Sequence, residues 1–173
     1  TEAKRCGTRS FQEAMKIPRW KESIFKEVRG LYDGCFTLVP NVGQRVLGTR
    51  YVFVVKDDTA RTFKSRMVIK GFSQREGEDY DVYKISSGVA GSDTVRVLLA
   101  LAHARGFHLS VQDISQAFLY ARRDADRPVY IKVPPGMAQF FPGVDLSKML
   151  CRVDRSVYGL KEAPRLWQEE FTK

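Results

Sequence analysis

The sequence predicts an α+β fold, in which helices and strands are not regularly alternated. Two observations carry this prediction. Apolar residues recur at helical spacing in residues 11–29, after Ser92 and near the C-terminus. Residues 50–56, 61–70 and 129–133 are instead rich in β-branched and aromatic side chains, which favour strands. The predicted order is helix, hairpin, helix, strand, helix, strands, helix, and the chain contains no internal repeat.

The first helical segment, residues 11–29, is interrupted at Pro18, which removes a backbone donor. Met15 and Trp20 lie on its apolar face and are the expected core anchors. Two glycines are expected to end the helix: Gly30 and Gly34.

Residues 50–56 and 61–70 predict a β-hairpin, with its turn at residues 57–60, where two Asp residues can bond the following backbone. Alternation along the second strand separates two faces. The apolar face carries Phe63, Met67 and Ile69, and the basic face carries Lys64, Arg66 and Lys70. The basic face is either an anion-binding surface or simply the solvated side of a surface hairpin.

A second helix is predicted after Ser92 and Asp93, which are suitable N-cap residues, and Gly106 is a fitting C-terminal stop. Residues 129–133 and 149–153 predict two short strands. Pro164 opens a final amphipathic helix. This last helix reaches Lys173 without a stop signal, so a truncated chain is expected.

The segment around Asp113 contains the strongest candidates for functional side chains. Leu109, Val111 and Asp113 alternate, which predicts a strand with a carboxylate at its end, and Phe118 follows where the pattern turns helical. Such a carboxylate can hold a metal ion and the aromatic ring can line a pocket, which suits phosphate chemistry. The alternative is that Asp113 caps a helix and Phe118 belongs to the core. One carboxylate does not make a two-metal site.

Composition narrows the functional classes. The chain has 173 residues, 43% of them hydrophobic and 28% charged, as in a globular protein of one domain or slightly more. Its formal net charge of +9 favours an anionic partner, nucleic acid first, although a basic surface can also serve solubility.

Cys6, Cys35 and Cys151 form no CxxC pair, and His103 and His108 lack metal-ligand partners. A reducing, intracellular location without a membrane segment is therefore expected.

Seven segments together resemble the reverse transcriptase of copia-type LTR retrotransposons, in that family's order and spacing. The segments are residues 36–40 (FTLVP), 66–74 (RMVIKGFSQ), 77–80 (GEDY), 95–102 (VRVLLALA), 112–119 (QDISQAFL), 129–136 (VYIKVPPG) and 157–167 (VYGLKEAPRLW). Each segment alone would be a weak signal, but the ordered set is a specific one.

The resemblance implies a right-hand polymerase fold of which only the fingers and the first half of the palm are present. Residues 1–10 would be a polar lead-in, residues 11–108 a fingers-like region with the basic hairpin at 50–70, and residues 109–173 an incomplete palm. The implied activity is RNA-directed DNA synthesis. This fragment alone is expected to be inactive, because the family's second pair of catalytic Asp residues would lie beyond Lys173.

The resemblance also assigns site residues. Asp113 matches the family's first catalytic aspartate, which ligates two magnesium ions with the backbone carbonyl at Ile114. Lys64 and Arg66 match the cations that contact the incoming triphosphate, with Ser65 in place of the usual Ala.

Further matches concern the sugar and the nucleic acid. Phe118 matches the ring that excludes a ribose 2′-hydroxyl, and Tyr158 and Gly159 match the segment beside the nucleotide and template. Glu162 replaces the family's common Gln, and its charge is expected to weaken nucleic-acid binding somewhat. Three cations are assigned to nucleic-acid contact: Lys70, Lys161 and Arg165.

The implied partners are an RNA template, a DNA primer, a dNTP and the remainder of a polyprotein, with location in cytoplasmic virus-like particles or in the nucleus. Two other functions stay open. The chain could be a non-catalytic module that binds RNA or DNA without sequence preference, or a degenerate transposon remnant. The +9 charge favours the binding module, and the missing carboxylates are compatible with both.

Overall fold

The computed structural model of the chain describes residues 10–56, 59 and 61–173 and confirms the mixed α+β architecture. The helices are α1 (Phe11–Met15), α2 (Pro18–Tyr32), α3 (Ser92–Ala104) and α4 (Ala163–Phe171). The strands are β1 (Phe36–Pro40), β2 (Val46–Leu47), β3 (Thr49–Val55), β4 (Phe63–Ile69), β5 (Tyr130–Lys132) and β6 (Met149–Val153). Most of the predicted polar lead-in, and turn residues 57, 58 and 60, lie outside the described residues.

The strands form two sheets. In the four-stranded sheet the order is β1-β6-β5-β2, with β6 antiparallel to both neighbours and β2 parallel to β5. The predicted hairpin is confirmed as the two-stranded sheet of β3 and β4, paired from Thr49 opposite Ile69 to Val55 opposite Phe63. The predicted strands at 129–133 and 149–153 are also confirmed as β5 and β6. Neither β1 nor β2 was predicted.

The apolar face of α2 joins two cores. Trp20, Ile24 and Val28 are fully buried in one cluster, and Leu31 belongs to the other. Trp20, a predicted anchor, packs edge-on against Phe53 at 5.1 Å and against Phe63 at 4.7 Å between ring centroids. Burying a ring of this size contributes about 3–5 kcal/mol to stability.

Two predicted helix ends are wrong. Gly30 lies inside α2, which continues to Tyr32 because Leu31 still packs in the core; Gly34, with φ at +90°, follows the true end. Ser92 is not an N-cap but the first residue of α3, whose N-cap Gly91 makes no side-chain capping bond. The predicted stop at Gly106 is confirmed by its φ of +63°.

The predicted strand at residues 109–113 is wrong as well. In the structure this segment is unpaired, with Leu109 64% and Val111 98% exposed. Alternating side chains form a strand only where a neighbouring strand supplies backbone partners, and no strand of the described residues pairs with this segment. The preceding helix α3 is similarly uncovered, since Leu98 is 59% exposed.

Two cysteines lie in the core around the four-stranded sheet, and neither forms a disulfide. Burial raises the pKa of Cys35 to about 11 and that of Cys151 to about 12. Both thiols are therefore protonated and unreactive at neutral pH. Of the helices in the described ranges, none has both the length and the hydropathy to cross a bilayer.

The end of β4 is fastened to the segment before α4 by direct backbone contact. The Ile69 amide donates a hydrogen bond to the Tyr158 carbonyl at 2.9 Å. Gly159 has φ at +94°, and a Cβ there would lie 2.1 Å from the Ile69 oxygen. A Cβ on Gly71 would lie 2.0 Å from the Gly159 oxygen. Glycine at both positions lets the two main chains touch.

We expect Gly159→Ala to lower the free energy of unfolding by about 3 kcal/mol, because it adds both a left-handed backbone strain and a clash with backbone. Urea unfolding followed by circular dichroism measures this. Gly43→Ala is the matched control, since Gly43 also has φ at +90° but has no atom within 4 Å of its built Cβ. The control should cost only about 1 kcal/mol. Equal losses for the two variants would contradict the packing argument.

Candidate functional site

A cavity of about 640 Å³ brings together residues from α2, β4, the segment at 113–118 and the lead-in to α4. It includes six residues singled out from the sequence: Lys64, Arg66, Asp113, Ile114, Phe118 and Tyr158. These residues come from three distant segments of the chain. Their convergence on one cavity is a property of the fold that spacing alone does not dictate.

Strand alternation directs the cations. Met67 and Ile69 are fully buried, so Lys64 and Arg66 project from the opposite face of β4, where they line the cavity. Helix α2 fixes this strand through Ser23, whose hydroxyl accepts the Ser65 amide at 2.8 Å.

Arg66 is held by an acid that sequence reasoning missed. Its Nη1 lies 2.7 Å from Oε2 of Glu27, and Nη1 also donates to the Ser65 carbonyl at 3.2 Å. Its guanidinium carbon lies 5.4 Å from the centre of the Tyr158 ring. Glu27 is 1% exposed and sits at core spacing, seven residues after Trp20. An acid on the buried face of a helix is the signal that could have revealed it.

The Glu27 carboxylate uses both oxygens, because Oε1 accepts the Met67 amide at 3.2 Å. Burial raises the pKa of Glu27, whereas the Arg66 guanidinium and the Met67 amide favour the ionised form. A buried charge of this kind is retained only when it is paired and hydrogen-bonded.

The cavity is electropositive around Lys64. Partial burial, followed by repulsion from Arg66 and Lys56, lowers the pKa of the Lys64 ammonium, while Glu27 and Asp113 oppose the shift. Lys56 lines the same cavity. Several cations brought together in a partly desolvated space form a site for a strongly anionic ligand.

The aromatic wall consists of Phe118 and Tyr158, whose rings meet edge to face at 5.6 Å. Phe118 lies on the short 3-10 helix Ala117–Tyr120, which the chain enters through Gln116 in a left-handed conformation with φ at +57°. Phe118 is half-buried and packs against the core as well as lining the cavity. Its predicted core and pocket roles are therefore compatible.

Four predicted site residues do not line this cavity. Gly159 contacts the backbone of β4, and the Lys70 side chain lies beside Gly48. Lys161 donates to the Tyr80 hydroxyl at 3.0 Å and lies 4.4 Å from that ring's centre. Arg165 pairs with Glu169 on the exposed face of α4 at 2.8 Å.

Glu162 belongs to a buried network. Its carboxylate lies 2.7 Å from Arg123, whose side chain is 3% exposed, and it accepts the Gln74 amide at 2.9 Å. The expected weakening of nucleic-acid binding does not follow, because Arg123 neutralises this charge inside the protein.

Asp113 is exposed and lines the cavity together with Ile114, and the Asp113 carboxylate and the Ile114 carbonyl are hard oxygen donors. Within the residues that the structure describes, no group of three His, Cys, Asp or Glu side chains could hold a metal ion. The donors present thus fit one side of a divalent-cation site and do not complete it.

Residues 34–173 match the family described as reverse transcriptase (RNA-dependent DNA polymerase). The chain is 33% identical over 169 residues to the retrovirus-related Pol polyprotein from transposon RE2 of Arabidopsis thaliana, covering 94% of this chain and 11% of that protein. It is 34% identical over 171 residues to the retrovirus-related Pol polyprotein from transposon TNT 1-94 of Nicotiana tabacum, covering 94% and 12%. No solved structure matches the chain.

The matched region covers most of the chain, although the chain spans only 11% or 12% of the length of these relatives. Reverse transcriptases generally use a divalent metal, in keeping with the oxygen donors at the cavity. The resemblance drawn from the seven sequence segments is confirmed. The chain belongs to the reverse transcriptase family, as found in the Pol polyproteins of copia-type retrotransposons.

Proposed function

We propose that this chain forms the part of an RNA-directed DNA polymerase that binds the incoming deoxynucleoside triphosphate. Residues 11–108 would then be the fingers and residues 109–173 the first part of the palm of a right-hand fold. The observation that carries this proposal is the convergence of six residues with matching family roles on one electropositive cavity. A cavity of about 640 Å³ lies within the size range of small-ligand sites.

The chemistry of the cavity suits a triphosphate. Lys64 supplies a compact charge, and Arg66 supplies a planar fork that can contact two phosphate oxygens. Both side chains are partly buried, so their attraction to phosphate is less screened than at an open surface. Cations that neutralise charge developing on the phosphates would also stabilise the transition state of nucleotidyl transfer.

Asp113 and the Ile114 carbonyl would hold a magnesium ion on the open side of the cavity. When bound, magnesium would supply positive charge at the reacting phosphate. The described residues provide only this side of its coordination shell. Phe118 would lie beside the sugar, where its ring leaves no room for a ribose 2′-hydroxyl.

The proposed partners are an RNA template, a DNA primer and other domains of the polyprotein. The net charge of +9 supports a nucleic-acid partner. Lys70, Lys161 and Arg165 are proposed to contact strand phosphates outside the cavity. The proposed location is a cytoplasmic virus-like particle or the nucleus.

Lys64→Ala is expected to weaken dATP binding by the chain about tenfold, because it removes one charge-assisted contact to phosphate. Calorimetric titration with dATP and magnesium measures the affinity. Lys64 is a better choice than Arg66 here, since removing Arg66 would leave Glu27 buried and unpaired. Lys16→Ala, an exposed lysine outside the cavity, is the matched control and should bind normally. Equal affinities for the two variants would rule out Lys64 as a phosphate contact.

Phe118→Ala, made in a complete Pol polyprotein, is expected to raise the ratio of ribonucleotide to deoxynucleotide incorporation at least about tenfold, because space opens beside the sugar. Primer extension with paired NTP and dNTP substrates gives this ratio. Phe72→Ala is the control, since Phe72 is a largely exposed ring elsewhere. An unchanged ratio would remove Phe118 from sugar selection.

The outer face of α2 favours a second candidate function, sequence-independent nucleic-acid binding. Three basic side chains that do not line the cavity are exposed there beside one exposed acid, Glu22: Arg19, Lys21 and Arg29. This surface is separate from Lys64 and Arg66 on β4, so it could bind strand phosphates without any nucleotide chemistry.

This function predicts that the affinity of the chain for RNA falls linearly with salt on a log–log scale, equally for unrelated sequences. Filter binding measures both properties. Replacing these three exposed α2 cations by Gln should reduce the salt dependence, whereas Lys64→Ala should not. Absence of binding at low salt would exclude the binding module.

A further inference from the structure

We propose that Glu27 is a positioning residue: its carboxylate anchors one nitrogen of Arg66 so that the rest of the guanidinium is presented to the triphosphate. This inference rests on the proposed nucleotide-binding function. Glu27 precedes residues 34–173, the span that matches the family, and it sits on α2, whereas its partner is on β4.

The anchor itself is rigid. Both carboxylate oxygens are engaged, Oε2 by Arg66 at 2.7 Å and Oε1 by the Met67 amide at 3.2 Å. The second bond ties the carboxylate to the backbone of the strand that carries Arg66. Ile24 and Leu31, one turn away on either side, are fully buried. The carboxylate is therefore fixed relative to β4 before any ligand arrives.

The Arg66 guanidinium is constrained by hydrogen bonds at one nitrogen and by an aromatic ring against one face. Nη1 of Arg66 donates to both the Glu27 carboxylate and the Ser65 carbonyl. The Tyr158 ring covers the guanidinium at 5.4 Å. Tyr158 also interacts with Arg66 through a side-chain hydrogen bond, and Arg66 lines the cavity. A planar fork held in this way loses less conformational freedom when it contacts phosphate oxygens.

Two effects of Glu27 on triphosphate binding have opposite signs. Its negative charge lies beside Arg66, so electrostatics alone would weaken attraction for phosphate. Its anchoring removes the cost of ordering a long side chain, which strengthens binding. Glu27→Gln removes the charge at nearly constant shape. The direction in which affinity changes therefore separates a positioning residue from a mere counter-ion.

The test is calorimetric titration of the 173-residue chain with sodium tripolyphosphate, a probe that needs no sugar or base. Glu27→Gln is expected to lower the affinity about tenfold. Glu162→Gln is the matched control, because it also neutralises a buried acid paired with an arginine but lies outside the cavity. It should lower thermal stability while leaving affinity within about twofold. Unchanged or higher affinity for Glu27→Gln overturns the proposal.

A double-mutant cycle with Arg66→Lys adds a readout that a purely structural role does not move. Lysine keeps the charge but has no fork, so Glu27→Gln should change affinity less than about twofold in that background. An undiminished tenfold loss would mean that Glu27 acts by another route. If Glu27→Gln does not fold, Glu27→Asp is the alternative variant, because it keeps the charge but shortens the side chain that anchors Arg66. A loss of affinity of about threefold supports the positioning role, whereas normal affinity overturns it.

The two proposals fail differently. If the wild-type chain binds neither dATP nor tripolyphosphate, the nucleotide site is wrong and the role of Glu27 falls with it. If the wild type binds and Lys64→Ala weakens binding while Glu27→Gln does not, the site stands and only the positioning role is refuted.

Discussion

The packing of α2 against β4 is the constraint on which the rest of the structure depends. Trp20, Ile24 and Val28 bury one core against the hairpin, and Leu31 extends the same helix face into the core around the four-stranded sheet. Because interiors are close-packed, this face fixes the position of β4 to within the tolerance of side-chain contacts. The basic face of β4 is thereby directed to one place, and the cavity forms there.

Sequence patterns predicted those features of the fold that depend only on neighbouring residues along the chain. Alternation in β4 gave the hairpin and the side on which Lys64 and Arg66 lie, because period two follows from strand geometry alone. The prediction of a strand around Val111 was wrong because a strand also requires a neighbouring strand to pair with, and alternation of side chains does not reveal whether one is present. Gly30 failed as a helix end because burial of Leu31 outweighed the cost of glycine in a helix.

Six residues that line the cavity were singled out from the sequence, but the interactions that hold them were not. The family resemblance indicated Arg66 and Phe118 as site residues, and the fold places both in one cavity. That Arg66 is tied to Glu27, and Glu162 to Arg123, depends on residues 39 apart in each case, which no spacing rule links. Each buried carboxylate needs its arginine, because leaving the charge unpaired would cost about 3–5 kcal/mol of stability. Whether an arginine is available to a ligand is thus decided by tertiary structure.

The contact between main chains at Gly71 and Gly159 has a consequence for how this sequence can diverge. When two side chains meet, growth of one can be offset by shrinkage of the other, so such pairs drift together. Here both partners are already glycine and the atoms they meet are backbone oxygens, so neither can shrink further. We therefore expect no compensating substitution at this junction, so that a change at either glycine weakens the attachment of the hairpin.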